Sequence, residues 1–509
     1  MKKTLQTLAT AFTALVIISV AQSAPAHAAS FNVAVGNDET TTNSSCSLSE
    51  AIGNINDQAA TNGDCPAGDG VNDTINIPAG TITLTADLPT ITESVTITGA
   101  GMGQTIIDGG SAYSTFSSQS SAPTQFNISD MKITAFDSGA IALSNGELIV
   151  NKVEVDGAGM VSNSIVAAGM LVGSISSNED VHIVVNDSYI HGISVSTGSV
   201  GNLGIGMLGS GGAKVTADIN RVTVTDISNN GGNAYGIIFT GGVFGNLTPN
   251  TFLGKINNAT ISNINSTVGP AGGVGMSNAS GGTGASADLE INNSTIIGTK
   301  GAEPLPGLHG GGLIVFGATD GVSSVVNNTI NAQNLLLADN ITASVGPSNC
   351  MGTLDFSAAL GADGAGTSNS TIVSTGGNLS SDITCSAYFN KPSDQNNLTN
   401  LGSTLGLIKN NGGLIPTIAL LEGSPAIDSG ITIPTLISDA RGSVRPQGLA
   451  YDSGAYESPF TTAVSPGAPA TAGGATANLA DTGQSLTTLM AFIALMLALS
   501  GSALVASRH

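Results

Sequence analysis

"LIVNKVEV" (148–155), "IVVNDSYI" (183–190), "ADINRVTV" (217–224), "KINNATIS" (255–262), "EINNSTII" (290–297) and "SVVNNTIN" (324–331) are six versions of one phrase. Each sets an Asn between two apolar pieces. The first Asn of each falls at Asn151, Asn186, Asn220, Asn257, Asn292 and Asn327, in steps of 35, 34, 37, 35 and 35 residues. An earlier copy, "QFNISDMKIT" (125–134), places Asn127 out of step by a shorter 24. Between the phrases run Gly-rich apolar pieces: "AYGIIFTGG" (234–242), "GGVGMSN" (272–278) and "GGGLIVFG" (310–317). A unit of two short apolar pieces cannot bury its apolar side alone and must stack on its neighbours. Short β pieces, Gly/Asn turns and no helical period between them predict an all-β chain, a parallel β-helix with one rung per unit. Side chains at equivalent positions then stack, so Asn and Thr form internal or turn ladders. An antiparallel propeller is the alternative, but its blades run longer and carry more aromatics.

Composition agrees. Only 9% of the 509 residues are charged, Gly numbers 68, and Trp is absent. Amphipathic helices want charged solvent faces, which this chain cannot supply. Thr, Val and Ile suit pleated strands, and Gly and Asn suit turns with φ > 0. A hydrophobic content of 41% argues against disorder for most of the chain. The formal net charge is −22. Phosphate binding needs basic patches, so nucleic acid is excluded as a partner. The acidity suits a soluble exposed surface protein. No cofactor is expected, although bound Ca²⁺ would be compatible with this charge.

Both ends carry targeting features. Residues 1–28 read as a signal peptide: Lys2 and Lys3 form the positive region, residues 15–20 lie in the apolar stretch, and Ala26-His27-Ala28 fits the small-x-small rule. Cleavage is expected after Ala28, leaving Ala29 first. At the other end, residues 486–506 are nearly free of polar groups and long enough to span a bilayer. Arg508 and His509 then place the positive end inside. Before the span stands "LADTG", Leu479, Ala480, Asp481, Thr482 and Gly483. Before that, the uncharged Pro/Ala/Gly/Thr-rich "TTAVSPGAPATAGGATAN" (461–478) reads as a stalk.

"LADTG" resembles the sorting signal of sortase substrates, a Leu-x-x-Thr-Gly pentapeptide followed by an apolar segment and a basic tail. Ala at the second position resembles the form read by class E sortases rather than the commoner Pro form. The resemblance implies cleavage between Thr482 and Gly483 and an amide link from the Thr482 carboxyl to a cell-wall or pilin amine. The basic tail here is shorter than usual. Near the start, "CSLSEAIGNIND" (46–57) holds a capping box from Ser47 to Glu50, with Ala51, Ile52 and Ile55 at helical spacing. Over residues 46–52 it resembles the Cys-Ser-Leu-Arg-Glu-Ala-Ile motif of bacterial surface β-helix proteins, with Ser49 in place of Arg. That resemblance implies a Cys46–Cys65 pair. Further on, "LGSTLGLIKNNGGLIPTIALLEGSPAIDSG" (401–430) and "DARGSVRPQGLAYDSGAYE" (439–457) look very like the choice-of-anchor Q domain, over roughly residues 345–457. This family implies a right-handed parallel β-helix of pectin-lyase type with a C-terminal surface anchor.

The expected organisation is a signal peptide (1–28), an N-terminal cap with the first rungs (29–110), β-helix repeats (111–344), a choice-of-anchor Q-like region (345–458), a stalk (459–478) and a sorting signal (479–509). The edges of an open β-helix must be covered, and the two flanking regions are expected to cap its ends. Arg441 and Arg445 are two of three arginines between leader and tail. They read as structural partners for Asp428, Asp452 or Glu457 rather than as catalysts. The four cysteines allow three pairings; the local one joins Cys46 to Cys65 and Cys350 to Cys385, each stapling a cap. No metal site is expected, because no CxxC spacing or nearby His accompanies them.

Parallel β-helices include polysaccharide lyases and galacturonases, so this fold is compatible with catalysis but does not imply it. The galacturonase elements Asn-Thr-Asp, Asp-Asp and Gly-His-Gly are missing; "LHGGG" (308–312), with His309, is a faint echo. A lyase wants a basic residue near acids, yet Arg221 and the scattered lysines have no acidic cluster beside them in sequence. His182 and His191 flank the Asn186 phrase and read as exposed loop residues. Without Trp, stacking on sugar faces is weakened. The leading expectation is therefore a non-catalytic bacterial surface protein, attached by a sortase to peptidoglycan and displaying a rod towards an unknown glycan or protein. It would meet membrane only through its two end segments. The alternative is a secreted or surface-bound carbohydrate-active enzyme, a polysaccharide lyase or glycoside hydrolase. Carboxylates clustered on one face would favour the alternative; a smooth Asn/Thr/Ser face would favour display. The low-complexity stretches 193–212 and 269–289 read first as tolerated insertions on one side of the rod, and otherwise as its binding loops.

Overall fold

Phe31, Ile75, Ile97, Ile128, Val150, Val185, Ile219, Ile256, Ile291, Ala332 and Ser374 stack one on the next in parallel register. Ten steps at about 4.8 Å each make a column about 50 Å long. The computed structural model describes residues 28–119, 124–160, 162, 166–173, 180–195, 201–241, 249–280, 283–303, 310–319, 324–355 and 366–461. These form a parallel β-helix. Ala26, the stalk beyond residue 461, the pentapeptide Leu479 to Gly483 and the apolar run 486–506 lie outside the described residues. No described helix is long and apolar enough to cross a membrane.

Each middle rung has three strand segments. One belongs to a Gly-rich sheet of eight strands: Phe116–Ser118, Gly139–Leu143, Val166–Gly173, Gly201–Gly209, Asn233–Gly241, Ala271–Ser280, Gly311–Thr319 and Cys350–Asp355. The other two lie before and after a sharp corner within the Asn phrase. The residue after the phrase Asn turns that corner in the left-handed region: Lys152, Asp187, Arg221, Asn258 and Asn293 have φ of 53°, 51°, 49°, 53° and 46°. Asn and Asp tolerate this region best, so the second residue of the phrase decides how easily the chain bends. The preceding Asn side chains form a turn ladder. Asn186 Nδ2 donates to Asn151 Oδ1 at 2.9 Å, Asn257 to Asn220 at 2.9 Å and Asn292 to Asn257 at 3.0 Å.

The ladder corrects two register expectations. Asn292 pairs with Gln333, a step of 41, whereas Asn327 pairs with Ser286. The corner of that rung is Asn334, at φ 54°. In the first copy, Ser129 rather than Asn127 pairs with Asn151. Register follows the buried apolar column, and a one-residue slip would turn Ile330 and Ala332 outward. A matching Asn at the wrong distance from that column is overruled.

The Gly-rich sheet explains a third difference. The described parts of 193–212 and 269–289 are largely strand rather than loop. Gly169, Gly204, Gly236, Gly273 and Gly312 recur at one position of the sheet, next to inward Met170, Ile205, Ile237, Val274 and Leu313. A Cβ on Gly236 would come within 2.6 Å of Ile261 Cγ2, so glycine there permits close packing across the coil.

The α-helix Leu48–Asp57 caps the N-terminal end. Glu50 N donates to Ser47 Oγ at 3.1 Å and Ser47 N to Glu50 Oε2 at 3.0 Å, the expected reciprocal box. Leu48, Ala51, Ile52 and Ile55 join the same core as Phe31 and Ile75. Ser49 binds Asp38, its N reaching Oδ1 at 3.0 Å and its Oγ reaching Oδ2 at 2.5 Å. The Cys46–Cys65 and Cys350–Cys385 disulfides are both formed. The second ties the last Gly-rich strand to the turns that follow the final rung.

The far end differs from expectation. Residues 381–398 turn over the last rung, where Gln395 N donates to Asn378 O at 2.8 Å. The chain then runs back along the side of the rod. Thr223 Oγ1 donates to Pro416 O at 2.6 Å, Ala455 N to Thr295 Oγ1 at 3.0 Å, and Ser453 Oγ to Gly377 O at 2.6 Å. The second half of the choice-of-anchor Q-like region is thus a lateral clasp, and its Leu401, Leu405, Ile418 and Leu420 pack against Leu336, Ala338 and Leu379.

Candidate functional site

Outward columns on the post-corner face show where that clasp stops. One runs Lys132, Glu154, Tyr189, Thr223, Thr260, Thr295, Leu336, Leu379; its neighbour runs Thr134, Asp156, His191, Thr225, Ser262, Ile297, Ala338. Residues two apart in a strand share a face, which makes these true neighbours. The apolar end is clasped; among the described residues the clasp does not reach the charged end.

At the charged end, Lys132 Nζ lies 2.9 Å from Glu154 Oε1 and 2.7 Å from Asp156 Oδ2. His191 Nε2 lies 3.2 Å from Glu154 Oε1, and its Nδ1 lies 3.7 Å from Asp156 Oδ1. The Tyr189 ring stacks on His191, centroids 4.1 Å apart and planes 16° from parallel. The hydrogen bond from His191, then Lys132, holds Glu154 below the usual carboxylate range. Burial pushes Asp156 up, but Lys132, the Ala158 N–H and His191 together outweigh it and the net shift is down. Burial likewise opposes the Lys132 charge, and its two carboxylate partners still raise it. Burial and then Asp226 push the Tyr189 phenol up to about 12.

Lysine and acids therefore neutralise one another. Neither carboxyl keeps a proton to give as a general acid near neutral pH, and the ammonium has no lone pair to act as a base. Glu154, Asp156 and His191 offer three ligand atoms within 4.8 Å of one another, but Lys132 already bonds both carboxylates, so a cation would have to displace it. This cluster corrects the expectation that the lysines lack acidic neighbours. Residues 22 to 37 apart in sequence meet because the rungs stack. His191 is a partly buried strand residue, not a loop residue. His182 lies on the same strand, Val181–His191, but before the corner, and the two histidines have separate partners.

The pre-corner face carries a groove of about 400 Å³, lined by Gln125, Glu147, Asp180, His182, Lys214 and Thr216 among others. Gln125, Glu147, His182 and Thr216 occupy one register position on four successive rungs. Gln125 N donates to Ser94 Oγ at 3.0 Å, while Gln125 Nε2 donates to Glu147 Oε2 at 2.7 Å. His182 Nδ1 lies 2.6 Å from Thr216 Oγ1.

The candidates Arg441, Arg445, Asp428, Asp452 and Glu457 all bond within the clasp or to the rod. Arg445, wholly buried, donates through NH1 to Glu457 Oε2 at 2.7 Å and to Asp452 O at 3.0 Å, and through NH2 to Gly454 O at 2.8 Å. Its NH2 also reaches the corner residue Asn258, 3.5 Å from Oδ1, and so fastens clasp to rod. Arg441 pairs instead with Asp439, which the sequence reading missed, at 2.8 Å from Nε and 2.7 Å from NH2, and lies 3.6 Å from the Tyr456 ring centroid. Asp428 departs from expectation: its Oδ1 accepts backbone N–H groups of Leu449 and Ala450 at 2.6 and 3.0 Å. Asp452 likewise accepts from Asp428 N and Ser458 N. Arg221 is held bidentately by Asp187, at 2.6 and 2.7 Å, one corner step away. Compared with protein-family models, with curated proteins and with solved structures, the chain matches none.

Proposed function

We infer that this chain is a non-catalytic surface protein, exported, joined to the cell wall through Thr482 by a class E-like sortase, and displaying its β-helix on a stalk. The reading is carried by the order of features after the rod: an uncharged Pro/Ala/Gly/Thr-rich stretch, "LADTG", an apolar span and a basic end. The mutual neutralisation of Lys132 with Glu154 and Asp156, and of Arg221 with Asp187, supports a non-catalytic role, because paired ions are poor proton donors and acceptors. Mass spectrometry of C-terminal peptides in cell-wall digests tests it. A peptide ending at Thr482 and carrying a wall fragment is the expected result. An intact peptide running past Gly483 into the apolar span would defeat sorting and leave a membrane tail.

One observation favours the second reading, a carbohydrate-active enzyme: Lys132, Glu154, Asp156 and His191 do converge on one face. If they work as a catalytic set, the protein should release reducing ends or unsaturated sugars from a polysaccharide panel, and Glu154→Gln should abolish this. Our reading expects no release from either protein.

A further inference from the structure

The groove on the pre-corner face is lined by polar groups, among them Glu147, whose Oε2 already accepts from Gln125 Nε2 at 2.7 Å. His182 Nδ1 lies 2.6 Å from Thr216 Oγ1, which engages that ring nitrogen and leaves Nε2 for other partners. Nε2 stands 3.9 Å from Glu147 Oε1 on one side and 4.0 Å from Asp218 Oδ2 on the other, both too far for a hydrogen bond. The three side chains are partly exposed, at 34% for His182, 35% for Glu147 and 48% for Asp218. They stand on three successive rungs, Glu147 beside His182 and Asp218 on the next strand. They step obliquely across three rungs, Asp218 lying two residues past the position of Glu147 and His182, rather than closing a shell, which suits an extended ligand better than a single metal ion. Around them are hydrogen-bonding Gln125, Asp180 and Thr216, and Lys214 as the lining cation. The lining carries Glu147 and Asp180 against Lys214, and Asp218 stands just outside it beside His182, so the charge favours a neutral or cationic ligand over an anionic one. The cavity volume lies within the range of small-ligand sites.

We propose that this groove binds an extended, donor-rich saccharide bearing amino groups, laid across the rungs with its ammonium and hydroxyl donors directed at Glu147, His182 and Asp218. The proposal deepens the display reading by naming the ligand class that the rod presents itself to. It does not depend on how the chain is anchored. Calorimetric titration of the full exported chain with β-1,4-linked glucosamine oligomers, N-acetylglucosamine oligomers and oligogalacturonate is the test. The glucosamine oligomers should bind tightest and the oligogalacturonate weakest. Glu147→Gln and Asp218→Asn should each weaken glucosamine binding about tenfold or more, as expected for a lost charge-assisted hydrogen bond. Glu290→Gln removes an acid from the same face, two rungs beyond Asp218 in its column, and should change nothing. All three exchanges are nearly isosteric at partly exposed positions, and circular dichroism checks that each variant folds. No binding of glucosamine oligomers, tightest binding of the uronate, or an equal loss in Glu290→Gln would overturn the proposal. A failed titration leaves wall attachment at Thr482 untouched, and an intact C-terminus in wall digests leaves groove binding untouched.

Discussion

Replacing Asn257 by Ala should cost more than replacing the ladder residue at its N-terminal end. Asn257 is 8% exposed, donates to Asn220 at 2.9 Å and accepts from Asn292 at 3.0 Å. Its loss removes two amide hydrogen bonds, each contributing about 1 kcal/mol, and strands a donor on Asn292 and an acceptor on Asn220. Water reaches part of the gap, so the total is about 2–3 kcal/mol. Asn151 begins the ladder and makes one such bond, to Asn186; Asn151→Ala should cost about 1 kcal/mol. Urea unfolding of both variants at matched m-values reads the difference. Because rungs couple mainly to their neighbours, hydrogen exchange supplies the local readout: amides of residues 219–224 and 289–296 should exchange faster in Asn257→Ala, while those near Phe31 stay unchanged. If Asn257→Ala costs no more than Asn151→Ala, the ladder contributes nothing beyond the corner geometry, and this reasoning fails.

Three further outcomes follow from the corner and the clasp. Arg445→Met leaves Glu457 buried without its partner and should destabilise the clasp by about 3–5 kcal/mol; limited proteolysis should then cut within residues 401–458 while the strand signal of the rod survives. Lys152→Asn should stabilise by about 0.5–1 kcal/mol, because Lys152 is an unfavourable left-handed residue with only a loose 3.9 Å ion pair to Asp130; a lower unfolding midpoint would contradict this. Burial, reinforced by Glu457, pushes Asp452 up to about 7 from an ordinary 3.8. The folded chain thus keeps a proton that the unfolded chain has lost, so this contribution is full below about pH 3.8 and disappears as pH rises towards about 7. Protease resistance of residues 401–458 should fall over that window, and Asp452→Asn should flatten the fall.

Sequence alone determined the solenoid. The recurrence of Asn151, Asn186, Asn220, Asn257 and Asn292 marks one corner per rung, since that position must tolerate a sharp bend beside a stacked amide. The capping box at Ser47 and Glu50 was equally legible, because helix capping is local in the chain. Three things were decided only in three dimensions. Asn327 carries the right phrase at the wrong distance from the apolar column, and burial of Ile330 and Ala332 sets the register instead. The lateral clasp was written in a form that single-sequence reading does not assemble: one outward position changes from Lys132, Glu154 and Tyr189 through threonines to Leu336 and Leu379, one residue per rung. The Lys132 cluster and the groove at His182 were hidden for the same reason. Stacking places side chains about 4.8 Å apart that lie some 22 to 37 residues apart along the chain. A linear motif records neighbours in sequence, whereas charge neutralisation and ligand recognition act between neighbours in space.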